Sequence, residues 1–345
     1  MDDEGLLRAL VEVPSVTGDT ERAVAAFVRE CRARGLEAFR DEAGNAVAVA
    51  GSGPRDILLV GHIDTVAPPL PTRLEDGVLW GRGAVDAKGP LAAFACAAAR
   101  LRGLRTHRVV VVGACDEEGE SHGARHLISK YRPEALVIGE PSGTDGVTIG
   151  YKGIVKVEYE VEDDLQHTGA PFPSVPDRGL AFWSAAQSFL AQLHGSSLFD
   201  TPSIKLSSFQ TDLLPTGQVR ARLVGSARTP PGFDVPAFLD FLHARAGSGR
   251  LRVPEWSPAW VGEKNAPLTR AFVQAVRAEG LTPRYVKKTG TSDANLLVPA
   301  WDGVPCVAYG PGDSALDHTP HERLDLADFR RAVNVVERVL RALTA

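Results

Sequence analysis

The sequence predicts an α/β protein whose mixed central sheet is covered by helices on both faces, with an α+β segment inserted into it. The runs "DILLVGHID", "HRVVVVGACDEE" and "ALVIGEPSG" are almost continuously aliphatic and alternate with helical segments. Both features are typical of strands buried on both faces. The pattern changes at Tyr151 and reverts near Lys264. We therefore expect one domain formed by 1–150 and 263–345, and an inserted domain formed by 151–262.

The first half of the chain alternates helices and strands. "DDEGLLRALVEV" and "ERAVAAFVRECRARG" carry apolar residues at helical intervals, and Thr17 and Thr20 are placed to cap the second helix. "NAVAVAG" and "DILLVGHID" are short apolar strands. "GPLAAFACAAARLRG" is predicted to be a helix that begins at Pro90 and ends at Gly103.

The inserted segment has a different pattern. "GIVKVEYEVED" alternates apolar and charged residues, as in a strand with one face in water. Two helical segments, "RGLAFWSAAQSFLAQLHG" and "DVPAFLDFLHARAG", and the strand-like "SIKLSSFQ", "QVRARLVGSAR" and "LRVPEWSPAW" complete a small α+β domain. After it come the helix "APLTRAFVQAVRAEG", the buried strand "GVPCVAYGPG" and the closing helix "DLADFRRAVNVVERVLRAL".

The composition argues against several classes of protein. A net charge of -5 over 345 residues does not suit a protein that binds nucleic acid through its phosphates. No apolar run reaches the roughly 20 residues that span a bilayer, and the acidic start "MDDEGLLRAL" does not resemble a signal peptide. Four scattered cysteines without a CxxC pair favour free thiols in a reducing compartment. We expect a cytoplasmic protein with neither nucleic acid nor membrane as a partner.

Acidic residues cluster where the predicted strands end. Asp116, Glu117 and Glu118 follow the valine run directly, and such close carboxylates repel one another unless they splay into water or surround a cation. Ligands of such sheets bind beyond the carboxyl ends of the strands, where His62 and Glu140 also lie.

These residues form a plausible ligand set for divalent metal. Taken alone, His62 suits a loop or cap, Asp86 suits a helix N-cap, and the acids suit a solvated face. Together, carboxylates and imidazoles are ligands that zinc accepts. The expected ligands are His62, Asp86, Glu118, Glu140 and His318. Asp64, two residues after His62, can hold the imidazole, and Glu117 can take a proton from water activated by two ions and return it to a leaving amine.

The motifs "GHIDTV", "GRGAVDAKG", "DEEGESHG", "GEPSG" and "DHTPHE" resemble, in this order, the signature of the M20 family of dinuclear zinc peptidases and deacylases. The resemblance extends from the first helices to the last and implies a zinc-peptidase-like catalytic domain with an inserted lid or dimerisation domain. It implies that Asp86 bridges two ions, Zn²⁺ or also Co²⁺, and that His62 and Glu140 are outer ligands of different ions. Glu118 and His318 complete the shell, whereas the neighbouring His321 is not expected to bind metal.

The resemblance also implies substrate-binding residues. His167, in "DDLQHTGAPFPS", matches the lid histidine that stabilises the tetrahedral intermediate, often across a dimer, although a surface loop histidine is the alternative. Arg228, in "GSARTPP", resembles a carboxylate-binding arginine. Gly290, Thr291 and Ser292, in "KTGTSDANLL", resemble the substrate loop; no GxSxG motif surrounds Ser292, which disfavours a nucleophilic serine.

Within the family, "GEPSGTDGVTIGYKG" and "DHTPHERL" most resemble the deacylases of lysine and arginine biosynthesis. That resemblance implies hydrolysis of a linear amide bond that joins lysine, or ornithine, to an acidic amino-group carrier protein. The alternatives are an acetylornithine deacetylase, a succinyl-diaminopimelate desuccinylase, an M20 dipeptidase, and a non-catalytic metal-binding protein with this fold. A homodimer through the lid domain is also expected.

Overall fold

The computed structural model describes residues 2–345. The helices are α1 (Asp3–Val11), α2 (Glu21–Ala33), α3 (Lys88–Ala99), α4 (His122–Lys130), α5 (Val175–Ala191), α6 (Val235–Ala246), α7 (Pro267–Ala278), α8 (Ala294–Ala300) and α9 (Leu326–Thr344). The strands of the first half are β1 (Glu37–Arg40), β2 (Ala46–Ala50), β3 (Arg55–His62), β4 (Arg73–Glu75), β5 (Val78–Trp80), β6 (His107–Ala114), β7 (Ala135–Gly139) and β8 (Gly146–Tyr151). The later strands are β9 (Gly153–Asp164), β10 (Ser203–Leu213), β11 (Gln218–Thr229), β12 (Arg250–Ser257), β13 (Trp260–Val261), β14 (Arg284–Lys288), β15 (Cys306–Ala308) and β16 (Arg323–Asp325).

The chain forms two compact units. The first comprises the described chain up to Gly150, Gly262–Lys287 and Ser292–Ala345, and the second comprises Tyr151–Val261 and Lys288–Thr291. All of 263–345 was expected to lie in one domain, whereas the short segment Lys288–Thr291 belongs to the second unit.

The first unit is built on a mixed sheet in the order β1-β2-β6-β3-β7-β15-β8, with β14 also paired to β8. β3 runs parallel to β6 and β7, and β2 runs antiparallel to β6. Successive residues of β3 point to opposite faces, and Leu58 and Leu59 are both fully buried. Both faces of the sheet are therefore covered, as the aliphatic runs predicted.

Helix α3 packs against the centre of this sheet and has no exposed face, because all twelve of its residues are buried. It ends at Ala99, so the predicted end at Gly103 was wrong; 101–104 are irregular. The expected cap of α2 was also wrong. Thr20 occupies the N-cap position but makes no side-chain cap bond, and its hydroxyl lies 3.4 Å from the Cys115 thiol.

The second unit has an antiparallel sheet in the order β10-β11-β9-β12. Helices α5 and α6 cover one face of this sheet, with Trp183 and Phe238 buried in its core. A capping box fixes the start of α5: Ser174 accepts from the backbone N–H of Asp177, whose side chain accepts from the backbone N–H of Ser174. This is the α+β architecture that the alternating pattern predicted. In the described residues, every helix is too short or too polar to cross a bilayer.

Candidate metal centre

Three parallel strands bring the predicted ligands to one edge of the sheet. His62 is the last residue of β3, Glu118 lies four residues after the end of β6, and Glu140 directly follows β7. Because β3 is paired in parallel with both β6 and β7, the carboxyl ends of all three strands meet. The shared direction of these strands therefore brings together His62, Glu118 and Glu140, which are distant in sequence.

Asp86 lies between two imidazoles. One of its oxygens, Oδ1, is 3.1 Å from Nε2 of His62, and the other, Oδ2, is 2.9 Å from Nε2 of His318. His318 is also 2.9 Å from Oε1 of Glu118, and His62 is 4.0 Å from Oε1 of Glu140. The five predicted ligands therefore converge around one shared carboxylate.

Two of the groups of potential ligand atoms within 4.8 Å of one another share Asp86. One contains His62, Asp86 and Glu140, and the other contains Asp86, Glu118 and His318. This grouping matches a pair of ions bridged by Asp86. Because His62 and Glu140 fall in the same group, this geometry favours one shared ion for them over the two different ions that the family resemblance implies. A third group contains His62, Glu117 and Glu118.

The contacts of His62 fit a metal ligand. Its Nδ1 lies 2.9 Å from the carbonyl oxygen of Asp64, which can only accept, so Nδ1 carries a proton and donates to it. The lone pair of Nε2 then faces the carboxylates of Asp86 and Glu140. With the ring neutral, a cation between Nε2 and these oxygens would take the lone pair, and in zinc proteins a ligating histidine usually donates its other N–H in this way.

The electrostatics of the cluster lead to the same conclusion. Burial alone would lower the pKa of His62, but its hydrogen bond to Asp86 and the surrounding carboxylates raise that pKa well above its usual value. Hydrogen bonds to Asp86 and Glu118 raise the pKa of His318 to about 10. The carboxylates thus favour positive charge at both imidazoles, and divalent ions bound there would supply the same compensation.

Glu117 is a carboxylate of the centre whose pKa is strongly perturbed. Burial raises its pKa well above the usual value, and although His62 opposes this effect, Glu140 and Asp293 add to it. A carboxylate whose proton affinity is raised in this way suits a group that accepts and returns a proton near neutral pH.

Asp64 has a wider set of contacts than the sequence predicted. Its carboxylate lies 3.7 Å from Nδ1 of His62, but it accepts closer hydrogen bonds from the Thr17 hydroxyl at 2.8 Å and from the backbone N–H groups of Glu117 and Glu118 at 3.2 Å each. The buried Asp64 therefore fixes the loop that carries the candidate base and a ligand, while its carbonyl oxygen orients the imidazole.

Two further buried residues were given no role in the sequence analysis, although both lie within the quoted motifs. Arg82 of "GRGAVDAKG" and Glu322 of "DHTPHE" are 2.8 Å apart, and Glu322 accepts hydrogen bonds from the backbone of Asp86. The motifs contain both residues, but only the fold shows that Arg82 and Glu322 contact each other. His321 is exposed and belongs to none of the ligand groups of the described residues.

The expected substrate residues lie in different parts of the chain. In the second unit, Nη1 of Arg228 donates to the Thr291 hydroxyl at 2.6 Å, next to Gly290. His167 is exposed in a loop of that unit, and its Nδ1 accepts from the N–H of Gly169 at 3.0 Å. Ser292 belongs to the first unit and is buried; its hydroxyl accepts from Ala294 N–H at the start of α8.

Comparisons with known proteins agree with this geometry. The family model described as peptidase family M20/M25/M40 matches residues 58–342. The LysW-lysine hydrolase of Deinococcus radiodurans is 42% identical over 353 residues, which cover 98% of this chain and 96% of that protein. A Thermococcus kodakarensis protein named for hydrolysis of both LysW-lysine and LysW-ornithine is 41% identical over 338 residues, covering 98% of this chain and 91% of that protein.

The fold is also similar to that of a solved structure, the M20 family metallo-carboxypeptidase Sso-CP2 from Sulfolobus solfataricus. The TM-score is 0.83 at 17% identity, over 100% of this chain and 99% of that one. The predicted fold class and family resemblance are both confirmed. The chain belongs to peptidase family M20/M25/M40, a family of metal-dependent hydrolases.

Proposed function

We propose that this protein hydrolyses the amide bond that joins lysine, or ornithine, to a LysW carrier protein. The observation that carries the proposal is the convergence of Asp86, Glu117, Glu118 and two imidazoles in the first unit. The substrate comes from the full-length relatives, which are named for this hydrolysis. The motifs predicted the same branch of the family.

The proposed cofactor is a pair of divalent ions, Zn²⁺ or also Co²⁺. His62 and Glu140 would hold one, Glu118 and His318 the other, and Asp86 would lie between them. Oxygen and nitrogen donors of this kind suit zinc. When bound, the ions supply Lewis acidity that polarises the amide carbonyl and makes a water proton more acidic.

The protein's own groups then move the proton. Glu117 accepts a proton from the attacking water and gives it to the lysine α-amine as the carbon–nitrogen bond breaks. The Asp64 carboxylate keeps Glu117 in place by accepting a hydrogen bond from the backbone N–H of Glu117. We propose that His167 donates a hydrogen bond to the developing oxyanion, and that Arg228, with Thr291 beside it, receives a substrate carboxylate.

We propose that the protein is a homodimer through its second unit. Strand β10 is an 11-residue edge strand that carries the exposed Leu206 and Leu213. Long edge strands with apolar residues favour pairing with another chain. Sedimentation of the wild-type protein and of Leu206→Pro would test this, and a wild-type monomer would refute it. A cytoplasmic location, supported by four buried free thiols, is proposed as well.

Release of free lysine from a lysine-charged LysW carrier tests the function. We expect the metal-loaded wild type to release lysine, and Glu117→Gln to retain metal but lose at least about a hundredfold in kcat, because general base catalysis contributes 10²–10⁴-fold. Glu120→Gln, which changes an exposed acid of the same loop, is the matched control and should keep its turnover.

Parallel assays with acetylornithine, succinyl-diaminopimelate and dipeptides separate the alternatives. Faster turnover of any of these substrates than of the charged carrier would replace the proposed substrate. Metal binding without hydrolysis of any amide would support the non-catalytic alternative, and full turnover by Glu117→Gln would remove Glu117 from its role.

A further inference from the structure

A buried ion pair lies directly behind the Asp86 loop. Glu322 is 1% exposed and Arg82 is 6% exposed, and Oε2 of Glu322 lies 2.8 Å from Nη1 of Arg82. The proposed reaction uses neither residue. Burying two charges costs solvation energy that their mutual attraction only partly returns. A contribution to folding stability therefore does not by itself explain this pair.

The second oxygen of Glu322 binds the backbone of the bridging ligand. Oε1 accepts from the N–H groups of Val85 and Asp86, each at 3.0 Å. The carbonyl oxygen of Glu322 also accepts from the N–H of Gly81 at 3.2 Å. The segment 81–87 forms turns rather than a strand or helix, so Glu322 supplies acceptors that regular structure would otherwise provide.

Arg82 connects the same loop to the loop of a second ligand. Its Nη1 donates to the carbonyl oxygen of Thr319, next to His318, at 3.0 Å, and its Nε donates to that of Pro68 at 3.2 Å. The ion pair therefore spans the two loops that place Asp86 and His318, whose side chains are 2.9 Å apart.

We propose that Glu322 is a positioning residue of the metal centre, which holds the Asp86 carboxylate between His62 and His318 with the help of Arg82. The inference rests on the proposed metal centre. Residues that orient metal ligands through hydrogen bonds typically change metal affinity by 10–100-fold when they are replaced. Glu322 acts here on the backbone of the ligand rather than on its side chain.

The test compares Glu322→Gln with Glu337→Gln. Glu337 also pairs with a partly buried arginine, Arg100, at 2.8 Å, but it touches no ligand loop. Zn²⁺ and Co²⁺ affinities are measured by competition with a chromogenic chelator, below the unfolding transition of each variant. Hydrogen exchange of the metal-free proteins is followed in a peptide that covers 81–87.

We expect Glu322→Gln to bind the ions about 10–100-fold more weakly and to exchange faster in 81–87, because the amide of Gln presents a donor to Arg82 or to the backbone N–H groups. Glu337→Gln should match the wild type in both readouts. Arg82→Lys, which keeps the charge but loses the forked donors, should weaken binding less and serves if Glu322→Gln does not fold.

Wild-type affinity in Glu322→Gln, or equal losses in Glu322→Gln and Glu337→Gln, would overturn the proposal. In the Arg82→Lys variant, unchanged affinity and exchange would also count against it. Because the ions are titrated without substrate, failure of the carrier assay leaves this result intact. A wild type that binds no divalent ion would refute the metal centre and this inference together.

Discussion

Asp64 and Asp293 are both buried carboxylates near Glu117, but they differ in their partners. Asp64 accepts from Thr17, Glu117 and Glu118, so its charge is compensated by donors. In the part of the chain that the structure describes, Oδ1 of Asp293 has no hydrogen-bond partner. Burial raises the pKa of Asp293 to about 6. A buried carboxylate with only partial compensation destabilises the folded state, and binding of a proton removes that cost.

This difference predicts a pH effect on the metal-free protein. Asp293 titrates at about 6 in the folded state and at about 3.9 in the unfolded state, so between these values the folded protein binds more protons. The unfolding free energy should therefore fall as the pH rises from about 4 to about 6, by roughly 3 kcal/mol at most. Denaturant unfolding of the wild type and of Asp293→Asn at several pH values measures this change in the free energy of unfolding.

In Asp293→Asn, this part of the pH dependence should disappear. The other groups that act on Asp293 are unchanged in the variant: His62, Ser121 and Arg125, which lower its pKa, and Asp64, which raises it. Identical pH slopes in both proteins would show that Asp293 does not titrate in this range.

At the scale of single residues, the sequence predicted candidate ligands that the fold brings together, but not the hydrogen bonds that hold them. His62, Asp86 and Glu118 lie in recognisable motifs with acids at strand ends. The bonds of Asp64 to Thr17 and Glu118 join residues 47 and 54 positions apart, and the pair of Arg82 and Glu322 spans 240 positions. No local pattern encodes such contacts, because they arise only when the loops pack together.

Helix α3 packs closely against the carboxyl ends of the central strands. Gly61, Gly113 and Gly139 lie at the carboxyl ends of the central strands, and side chains there would meet Leu91 or Phe94 of α3 within 2.9–3.2 Å. The three glycines let the helix approach the strand ends that carry the ligands. The apolar runs predicted the helix and the strands, but not which glycines face the helix.

Gly139→Ala should destabilise the protein by about 1–3 kcal/mol, the usual cost of overpacking a tight core. Its Cβ would lie 2.9 Å from the Phe94 ring and 3.0 Å from the Cα of Gly61, which is backbone and cannot move aside. Denaturant unfolding is the measurement. Gly290→Ala is the control, because a Cβ there meets no heavy atom within 4 Å; equal unfolding free energies for the two variants would contradict the prediction.

The shorter elements were not predicted. β4, β5 and β16 have three residues each, and α8 has seven, too few for a hydrophobic period to be visible. They are nevertheless close to the centre in sequence: β5 precedes the Asp86 loop, and β16 begins just after Glu322. Tertiary contacts, rather than local propensity, define these elements.

At the scale of the whole molecule, the strand order is the feature that the sequence could not give. β15, near the end of the chain, lies between β7 and β8, pairing parallel to the first and antiparallel to the second. The apolar character of "GVPCVAYGPG" predicted a buried strand, but many positions in the sheet would bury it equally well. The pattern change at Tyr151, in contrast, marked the start of the second unit.

Metal removal should affect the two units differently. Without ions, the carboxylates around Asp86 repel one another, and each site filled at a hundred times its dissociation constant contributes about 2.7 kcal/mol to the folded state. We expect chelation to lower the melting temperature and to speed hydrogen exchange at 62–65, 85–88, 115–119 and 139–141. Exchange around Phe182 and Phe238 in the second unit's core should stay unchanged.

Restoring Zn²⁺ should reverse both effects, and restoring Mg²⁺ should not, because imidazole ligands suit zinc better than magnesium. Uniform acceleration of exchange in both units, or no change in the ligand loops, would count against a metal centre confined to the first unit.

The position of β15 also determines when the catalytic centre can exist during translation. A ribosome that has released residues up to 305 has exposed β7 and β8 but not the strand that separates them, and His318 is still to come. Four of the five ligands are then synthesised, while the sheet still lacks one of its inner strands. The nascent polypeptide therefore cannot assemble the complete set of five ligands until β15 and His318 have emerged from the ribosome.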